Sequence, residues 1–421
     1  MKYLAILGRQ PEISIAELDS LFLDVRRIDT NLALFSTGPA TTFPPFSSSS
    51  MGDPQVVSPV DVNRLGGVLK LAIELEQKPL EYLQRLSEGK ITIGVSDYSR
   101  QASRKSAQQE ALKLKKILVR HGRSVRVVEN KDAVLSTATS LHNGLSGKNE
   151  RKVEFIKVDD EWYRVIGVQD IDAYAKRDQA RPARDARVGM LPPKLAQILI
   201  NLCGTLEPGS MILDPFCGTG VVLQEAILMG YRAYGTDISD RMIEYSETNL
   251  VWFSEKYVRR LISNTFLEGS VGGYDRDRKG ASPVTTGASD PVPEKEVFEI
   301  SQGDATSFHW NQPIDAVACE GYLGKPFSRI PTDIELKEQK QECRATIVGF
   351  LENLAGQIKV NTPVVIAVPA WLREDGNYER LGILDEIDKL GYNVDSKTRE
   401  GLLYHRDGQV VARDILILRK K

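Results

Sequence analysis

At Ile212 to Gly220 the chain reads ILDPFCGTG: an apolar run ends in Asp214, turns at Pro215, and passes Gly218 and Gly220 into the helical stretch VVLQEAILMG. Glycine at such a turn lets ligand atoms approach bare backbone at a helix N-terminus, which is how the first strand of an open α/β sheet becomes a binding site. Four more β-rich runs surround or follow it: AYGTDIS, ISQGDAT, IDAVACEG and TPVVIAVPA, separated by helical stretches. That alternation predicts a doubly wound, Rossmann-like α/β sheet for the last part of the chain.

The same turn restricts the ligand. A dinucleotide fingerprint places a third glycine where this chain has Leu223, and here the turn also carries an acid and a proline. A carboxylate at that point suits a cationic cofactor, and S-adenosylmethionine carries an ammonium and a sulfonium but no phosphate. The alternative is a purely structural glycine turn in another α/β enzyme. Asp237 closes the next run, RAYGTD, where it can accept both hydroxyls of a ribose, with Ile238 beside it. A hydrogen bond to a charged acceptor contributes about 1.5–3 kcal/mol. Asp237 could also cap the helix SDRMIEYSETNL, although Ser239 is better placed for that. Asp304 in QGDAT, followed by Ala305, ends the third run and could accept an adenine amino group.

The fourth run raises a different question. AVACEGYLG, from Ala316 to Gly324, is apolar as far as Cys319 and then stops at Glu320, Gly321 and Tyr322. A carboxylate and an aromatic at a buried strand end call for a polar partner.

At 421 residues the chain is long enough for roughly three domains. Its 41% hydrophobic and 27% charged residues suit a soluble globular protein. No stretch approaches the roughly 20 apolar residues of a membrane span, and the apolar run in MKYLAILGRQPE is too short for a signal peptide, so the expected location is the cytoplasm. Four scattered cysteines and four scattered histidines form no ligand spacing, and no metal is expected. The net charge of −2 is unevenly spread: residues 101–131 carry nine basic side chains against two acidic ones. Such a patch is either a solvated helix face or a polyanion footprint.

Along the chain, KYLAIL reads as a strand and PEISIAELDSLF as a helix with Ser14 and Glu17 at capping-box spacing. They open an α+β unit over residues 1–80, interrupted by a Ser/Pro-rich excursion at 41–59. A second unit, 81–170, runs strand, basic helix from Ser106 to Gly122 capped by Gln109, strand, helix, and a hairpin turning at Asp159 and Asp160. That order is compatible with an RNA-binding module. Residues 171–188 form a basic connector, and Pro192 and Pro193 suit the first turn of the next helix. The α/β domain then occupies 189–421, with a surface insertion at 269–296.

RPARDARVGMLPPKLAQILINL, ILDPFCGTG, GTDIS, GDAT and the closing LYHRDGQVVARDILIL resemble the tRNA (guanine(10)-N2)-methyltransferase family. The likeness covers nearly the whole chain except the two excursions and is strongest from Arg181 to Asp240. It implies a ferredoxin-like N-terminal domain, a THUMP RNA-binding domain around Lys90 to Val168, and a Rossmann-like methyltransferase domain. It further implies S-adenosylmethionine contacts from Asp214, Phe216, Gly218 and Gly220 at the methionine side, from Asp237 at the ribose and from Asp304 at the adenine. Met190, Leu191 and Pro192 match the motif that closes over the methionine moiety. The tRNA would be met by Lys113, Lys115, Lys116, Arg120 and Arg123 on the basic helix and by Lys176, Arg177, Arg181 and Arg184 on the connector. Some relatives also use a small activator protein.

After the fourth strand, members of that family carry D-P-P-Y or a close variant, which receives the exocyclic amine of the target base. This chain reads E-G-Y-L, or C-E-G-Y if the aromatic is held fixed. By strand-end position Glu320 takes the acidic role and Tyr322 stacks on the base. The longer side chain and the glycine bear on catalytic geometry and target base more than on cofactor binding. The alternative is that Glu320 caps the strand or pairs with Lys325 or Arg329. The resemblance thus implies methylation of a guanosine N2, with N6-adenine methylation of RNA or DNA, or a catalytically inactive tRNA-binding protein, as the other readings.

Overall fold

The computed structural model describes residues 1–38, 60–185, 190–258 and 297–421. The excursions expected at 41–59 and 269–296 lie outside the described residues.

The first half is built on one sheet. Its elements are β1 (Lys2–Leu7), α1 (Pro11–Leu21), β2 (Leu23–Asp29), β3 (Leu32–Ser36), β4 (Val68–Glu74), α2 (Pro79–Gln84), β5 (Ile91–Asp97), α3 (Arg104–Arg120), β6 (Val125–Val127), α4 (Thr137–His142), β7 (Lys152–Val158) and β8 (Glu161–Val168). The eight strands lie in the order β2-β3-β1-β4-β8-β7-β5-β6. A sequence division near residue 80 is therefore spanned by hydrogen bonds, because β4 pairs antiparallel with β8, Lys70 opposite Val168. At this seam Lys70 is buried against Glu154, Nζ to Oε1 2.6 Å, and Ser96 and Ser140 also donate to that carboxylate. Stripping one partner would leave a buried charge uncompensated, a loss of several kcal/mol.

Two helix starts differ from expectation. α1 begins at Pro11 after Gln10, with no side-chain cap. Ser14 donates back to the Gln10 carbonyl instead, and Glu17 serves a distant partner, described below. α3 starts two residues earlier than Ser106, and its capping box is made by Ser103 and Ser106 rather than Gln109.

The connector is no free linker. Its helix α5 (Ile171–Gln179) docks on α6 (Pro193–Leu202). The second sheet follows with β9 (Met211–Asp214), α7 (Val221–Leu228), β10 (Arg232–Asp237), α8 (Asp240–Phe253), β11 (Phe298–Gln302), β12 (Ala316–Glu320), α9 (Asp333–Ala355), β13 (Pro363–Leu372), β14 (Tyr378–Arg380), β15 (Tyr392–Val394), β16 (Leu403–Tyr404) and β17 (Val411–Lys420). Its strands run β11-β10-β9-β12-β13-β17-β15. The first five are parallel, and β17 lies antiparallel between β13 and β15. Apolar clusters cover both faces, one under α6 and α7 and the other under α9. That is why the central strands read as continuous apolar runs.

The two halves are joined by buried polar contacts. Glu17 accepts from Gly66 N (2.9 Å), Gly67 N (2.8 Å) and Asn201 Nδ2 (2.8 Å), while Asn201 also donates to Arg64 O (2.7 Å) and Arg64 donates to Met229 O (3.0 Å). Burial raises the Glu17 carboxyl from 4.5 to about 7 against these three donors. The folded state thus holds a proton that the unfolded chain releases, so this stability is present in full below about pH 4.5 and is lost as pH rises through about 7. The change is roughly 3 kcal/mol at most. Thermal unfolding from pH 5 to pH 8 is expected to show a falling Tm in the wild type and a flatter profile in Glu17→Gln; parallel profiles would remove Glu17 as the cause.

Among the described residues no helix is long and apolar enough to cross a membrane. Nor does any group of three His, Cys, Asp or Glu among them come together to hold a metal ion. All four cysteines are buried free thiols.

Candidate active site

Strand order reverses between β9 and β12, so a crevice opens beyond their carboxyl ends, where ligands of doubly wound sheets bind. The cavity there measures about 660 Å³, within the roughly 300–1,000 Å³ of small-molecule sites. Asp214, Asp237, Asp304 and Glu320 come from the ends of four parallel strands, and all four line it. Asp185 and Glu342 add two more carboxylates, and the one arginine lining it among the described residues, Arg241, is paired with Asp185. A wall of this charge repels a pyrophosphate and favours a cation.

The glycine turn delivers backbone donors. Gly218 and Gly220 have φ of +52° and +78°, a conformation that L side chains rarely adopt. Gly220 caps α7 but does not itself line the cavity. Asp237 is fixed by two backbone groups: Gly218 N donates to Oδ2 (3.0 Å) and Ser239 N to Oδ1 (2.9 Å). Each oxygen keeps further lone-pair capacity toward the cavity. Ser239 precedes α8 without a side-chain cap bond, so the carboxylate of Asp237 holds that turn as well. Ile238 is 68% exposed at the rim, an apolar surface suited to a flat ring. Asp304 Oδ1 accepts from Thr306 N (2.9 Å) and Oγ1 (2.7 Å), and Ala305 is buried beside it.

Asp214 is buried and accepts from Phe216 N at 3.2 Å. Burial pushes its carboxyl well above the usual range, and the neighbouring Asp237 and Glu320 push the same way. Asp237 is raised too, chiefly by burial, against its two backbone donors. A cation placed among these acids would favour their charged forms.

Glu320 pairs with neither Lys325 nor Arg329. Its partner is Arg413 of β17, whose Nε donates to Glu320 Oε1, with the two side chains 17% and 7% exposed. Arg329 is held instead by Glu335. Tyr322 donates from its hydroxyl to Glu342 Oε1 (2.7 Å), which anchors the ring edge at the cavity. Gly321 has a packing reason: a Cβ there would lie 2.6 Å from Ile347 Cδ1 and 2.9 Å from Ile366 Cδ1. The glycine between acid and aromatic is a tight fit rather than a loose hinge.

Of the residues expected to hold the cofactor, Met190, Leu191, Asp214, Phe216, Gly218, Asp237, Ile238, Asp304 and Ala305 line this one cavity. Pro192 does not, and faces a second cleft. Two of the residues assigned to RNA are misplaced by that assignment. Arg177 is 2% exposed, its Nε 2.7 Å from Glu225 Oε1 in the core between α5 and α7. Arg181 is also buried, contacts Asp178 Oδ1 (3.2 Å) and Thr219 Oγ1 (3.5 Å), and braces the cavity wall at Met190. Arg123 is partly spent on the carbonyls of Leu86 and Ser87, and Lys113 pairs with Glu110 at 2.8 Å. Lys116, Arg120, Lys176 and Arg184 are exposed, and Lys115 is half-buried. Sequence reasoning missed Arg413, Glu342, Asp185 and Arg241. The arginine left a trace, a charged Arg-Asp pair inside the apolar run of β17.

Sheet order, glycine turn and acidic cavity together define a Rossmann-like fold of the methyltransferase class. Residues 181–339 match a family model described as an RMKL-like methyltransferase domain, and residues 95–248 match one described as a DNA methylase. In sequence the chain is similar to proteins named tRNA (guanine(10)-N2)-dimethyltransferase. The one from Methanothermobacter thermautotrophicus is 49% identical over 75 residues, 17% of this chain and 22% of that protein. The one from Pyrococcus abyssi is 33% identical over 111 residues, 26% and 33% of the two chains. The chain thus spans a third or less of these curated relatives' length. A solved structure, TrmN from Thermus thermophilus, aligns over the full length of both chains at 15% identity with a TM-score of 0.45.

Proposed function

We propose that the protein is an S-adenosylmethionine-dependent tRNA methyltransferase that methylates the exocyclic N2 amine of a guanosine, at position 10 of tRNA. The observation that carries this reading is the meeting of Asp214, Asp237, Asp304, Glu320 and Tyr322 in one cavity. S-adenosylmethionine, when bound, supplies an electrophilic methyl group on a cationic sulfur. The donor set fits it: carboxylates for its positive groups, Asp237 for the ribose hydroxyls, and Ile238 and Asp304 for the adenine.

The chain's own residues handle the base. Glu320 accepts a hydrogen bond from the amine, Arg413 keeps that carboxylate oriented, and Tyr322 stacks on the ring. An aromatic amine is a poor nucleophile because its lone pair is delocalised, so aligning it and holding its protons supplies several kcal/mol. Residues 81–170 serve as a THUMP-type RNA-binding region, with Lys116 and Arg120 outward, beside a ferredoxin-like unit at 1–80. The enzyme works in the cytoplasm.

The test is transfer of labelled methyl to bulk unmodified tRNA followed by nucleoside analysis. N2-methylguanosine is the expected product. Methyladenosine would move the site to an adenine N6, the reaction class toward which the DNA methylase match points. No incorporation with cofactor and tRNA both bound would mean a binding protein or a missing activator, and rescue by cell extract separates those two.

A further inference from the structure

A second cleft, of about 590 Å³, lies where the two halves meet. Its wall is formed by the turn after β1 (Gly8, Arg9, Gln10), by Gly66 and Gly67 before β4, by Pro192 and Lys194 at the start of α6, and by Tyr404 to Arg406 after β16. Arg9, Lys194, His405 and Arg406 line it, and among the described residues none that lines it is acidic. Lys194 is the telling group. Its Nζ donates to the neutral Gln169 Oε1 and sits 5.1 Å from the Tyr174 ring centroid, with no carboxylate among its partners. Burial holds its pKa down at about 8, as befits a cation lacking a counter-ion. The start of α6 contributes at most the N–H of Lys194, because Pro192 and Pro193 carry none and those of Leu195 and Ala196 donate to Pro192 O. Opposite, Gln10 donates from Nε2 to His405 O, while its buried Oε1 has no hydrogen-bond partner. A phosphodiester, which has no proton to donate, cannot satisfy that oxygen, but a ribose 2′-hydroxyl can.

We propose that this cleft holds a phosphodiester of the RNA substrate, with Arg9, Lys194 and Arg406 on the phosphate oxygens and Gln10 on a ribose 2′-hydroxyl. The inference rests on the tRNA reading above. It has a consequence for catalysis, because one segment builds both sites. Met190 and Leu191 face the acidic cavity, and Pro192 and Lys194 face the basic cleft. A strand pinned in the cleft is thereby registered against the cavity that receives its base.

The experiment measures the affinity of full-length protein for unmodified tRNA across a KCl series, for the wild type and for Arg9→Gln/Lys194→Gln/Arg406→Gln. The expected result is at least a tenfold rise in Kd near 0.15 M salt, with a log–log salt slope shallower by about two, since each lost phosphate contact removes roughly 0.7–0.9. Affinity for S-adenosylmethionine should stay within twofold. If the triple variant does not melt cooperatively, Arg9→Gln/Arg406→Gln, which alters exposed side chains only, should still flatten the slope by about one and a half. Unchanged Kd and slope would overturn the proposal. So would millimolar inorganic phosphate raising the Tm of the wild type but not of the variant while tRNA binding stays equal, which would mark a free-anion site. Wild-type methyl transfer is scored separately: its failure with the salt effect intact would remove the enzymatic reading and leave the cleft.

Discussion

Glu320→Ala is expected to lower kcat for methyl transfer to tRNA by about a hundredfold or more, the size seen when one preorganised polar group is removed from a developing charge, with cofactor affinity nearly unchanged. The reasoning starts from position. Glu320 ends β12 next to the switch point, on the side the proposed reading gives to the base, whereas Asp214 and Asp237 end the two strands it gives to the cofactor; all three line one cavity. Its carboxylate is held by Arg413 from β17, so it stays where β12 places it. Arg413→Ala tests that second role. It should cost activity while Glu320 remains, yet add little in the Glu320→Ala background, since two residues acting as a unit are not additive. The measurement is kcat and KM for tRNA together with the cofactor Kd. Loss of cofactor binding equal to the loss of turnover would assign Glu320 to the cofactor instead.

How far the site could be read in advance depended on how local each contact is. Asp214, Asp237 and Glu320 were legible because each closes a strand that is buried up to the carboxylate, which announces a polar site, and Asp304 because it follows the next strand by two residues. Their partners were not. Arg413 meets Glu320 across 93 positions, a pairing that exists only because β17 inserts antiparallel beside β13. Long-range charge compensation also explains Arg177, which in the string RDQARPARDAR looks like one more exposed cation. Its counter-charge, Glu225, sits 48 residues on inside the apolar helix α7. Glu17 misled in the same way: at capping-box spacing from Ser14 it should have turned back on its own helix. Instead, the N–H groups of Gly66 and Gly67 and the amide of Asn201 claim its oxygens. The doubly wound α/β class was accessible from the alternation of elements, but the strand order, with β17 antiparallel between β13 and β15, was not. Continuity of the N-terminal sheet across residue 80 was not, because nothing in β4 or β8 names its neighbour.

Asp237→Ala is expected to weaken S-adenosylmethionine binding by roughly ten- to a hundredfold, the equivalent of about 1.5–3 kcal/mol for a hydrogen bond to a charged acceptor. Two contributions act together and can be separated. The carboxylate would receive the ribose hydroxyls, and it also receives Gly218 N and Ser239 N, which sets the turn between β9 and α7 and the start of α8. Losing the first contact weakens the ligand directly. Losing the second frees the donors that shape its bed, which raises the cost of ordering the loop on binding. Binding of adenosine and of methionine as separate fragments distinguishes the two. A direct ribose contact predicts that adenosine affinity falls and methionine affinity holds, while a collapsed turn predicts that both fall, because Gly218 and Phe216 lie on the same loop. Saturating cofactor should restore most of kcat in the first case. Full affinity for both fragments in Asp237→Ala would take the ribose away from β10 altogether, and with it the assignment of the adenine to Asp304 on the adjoining strand.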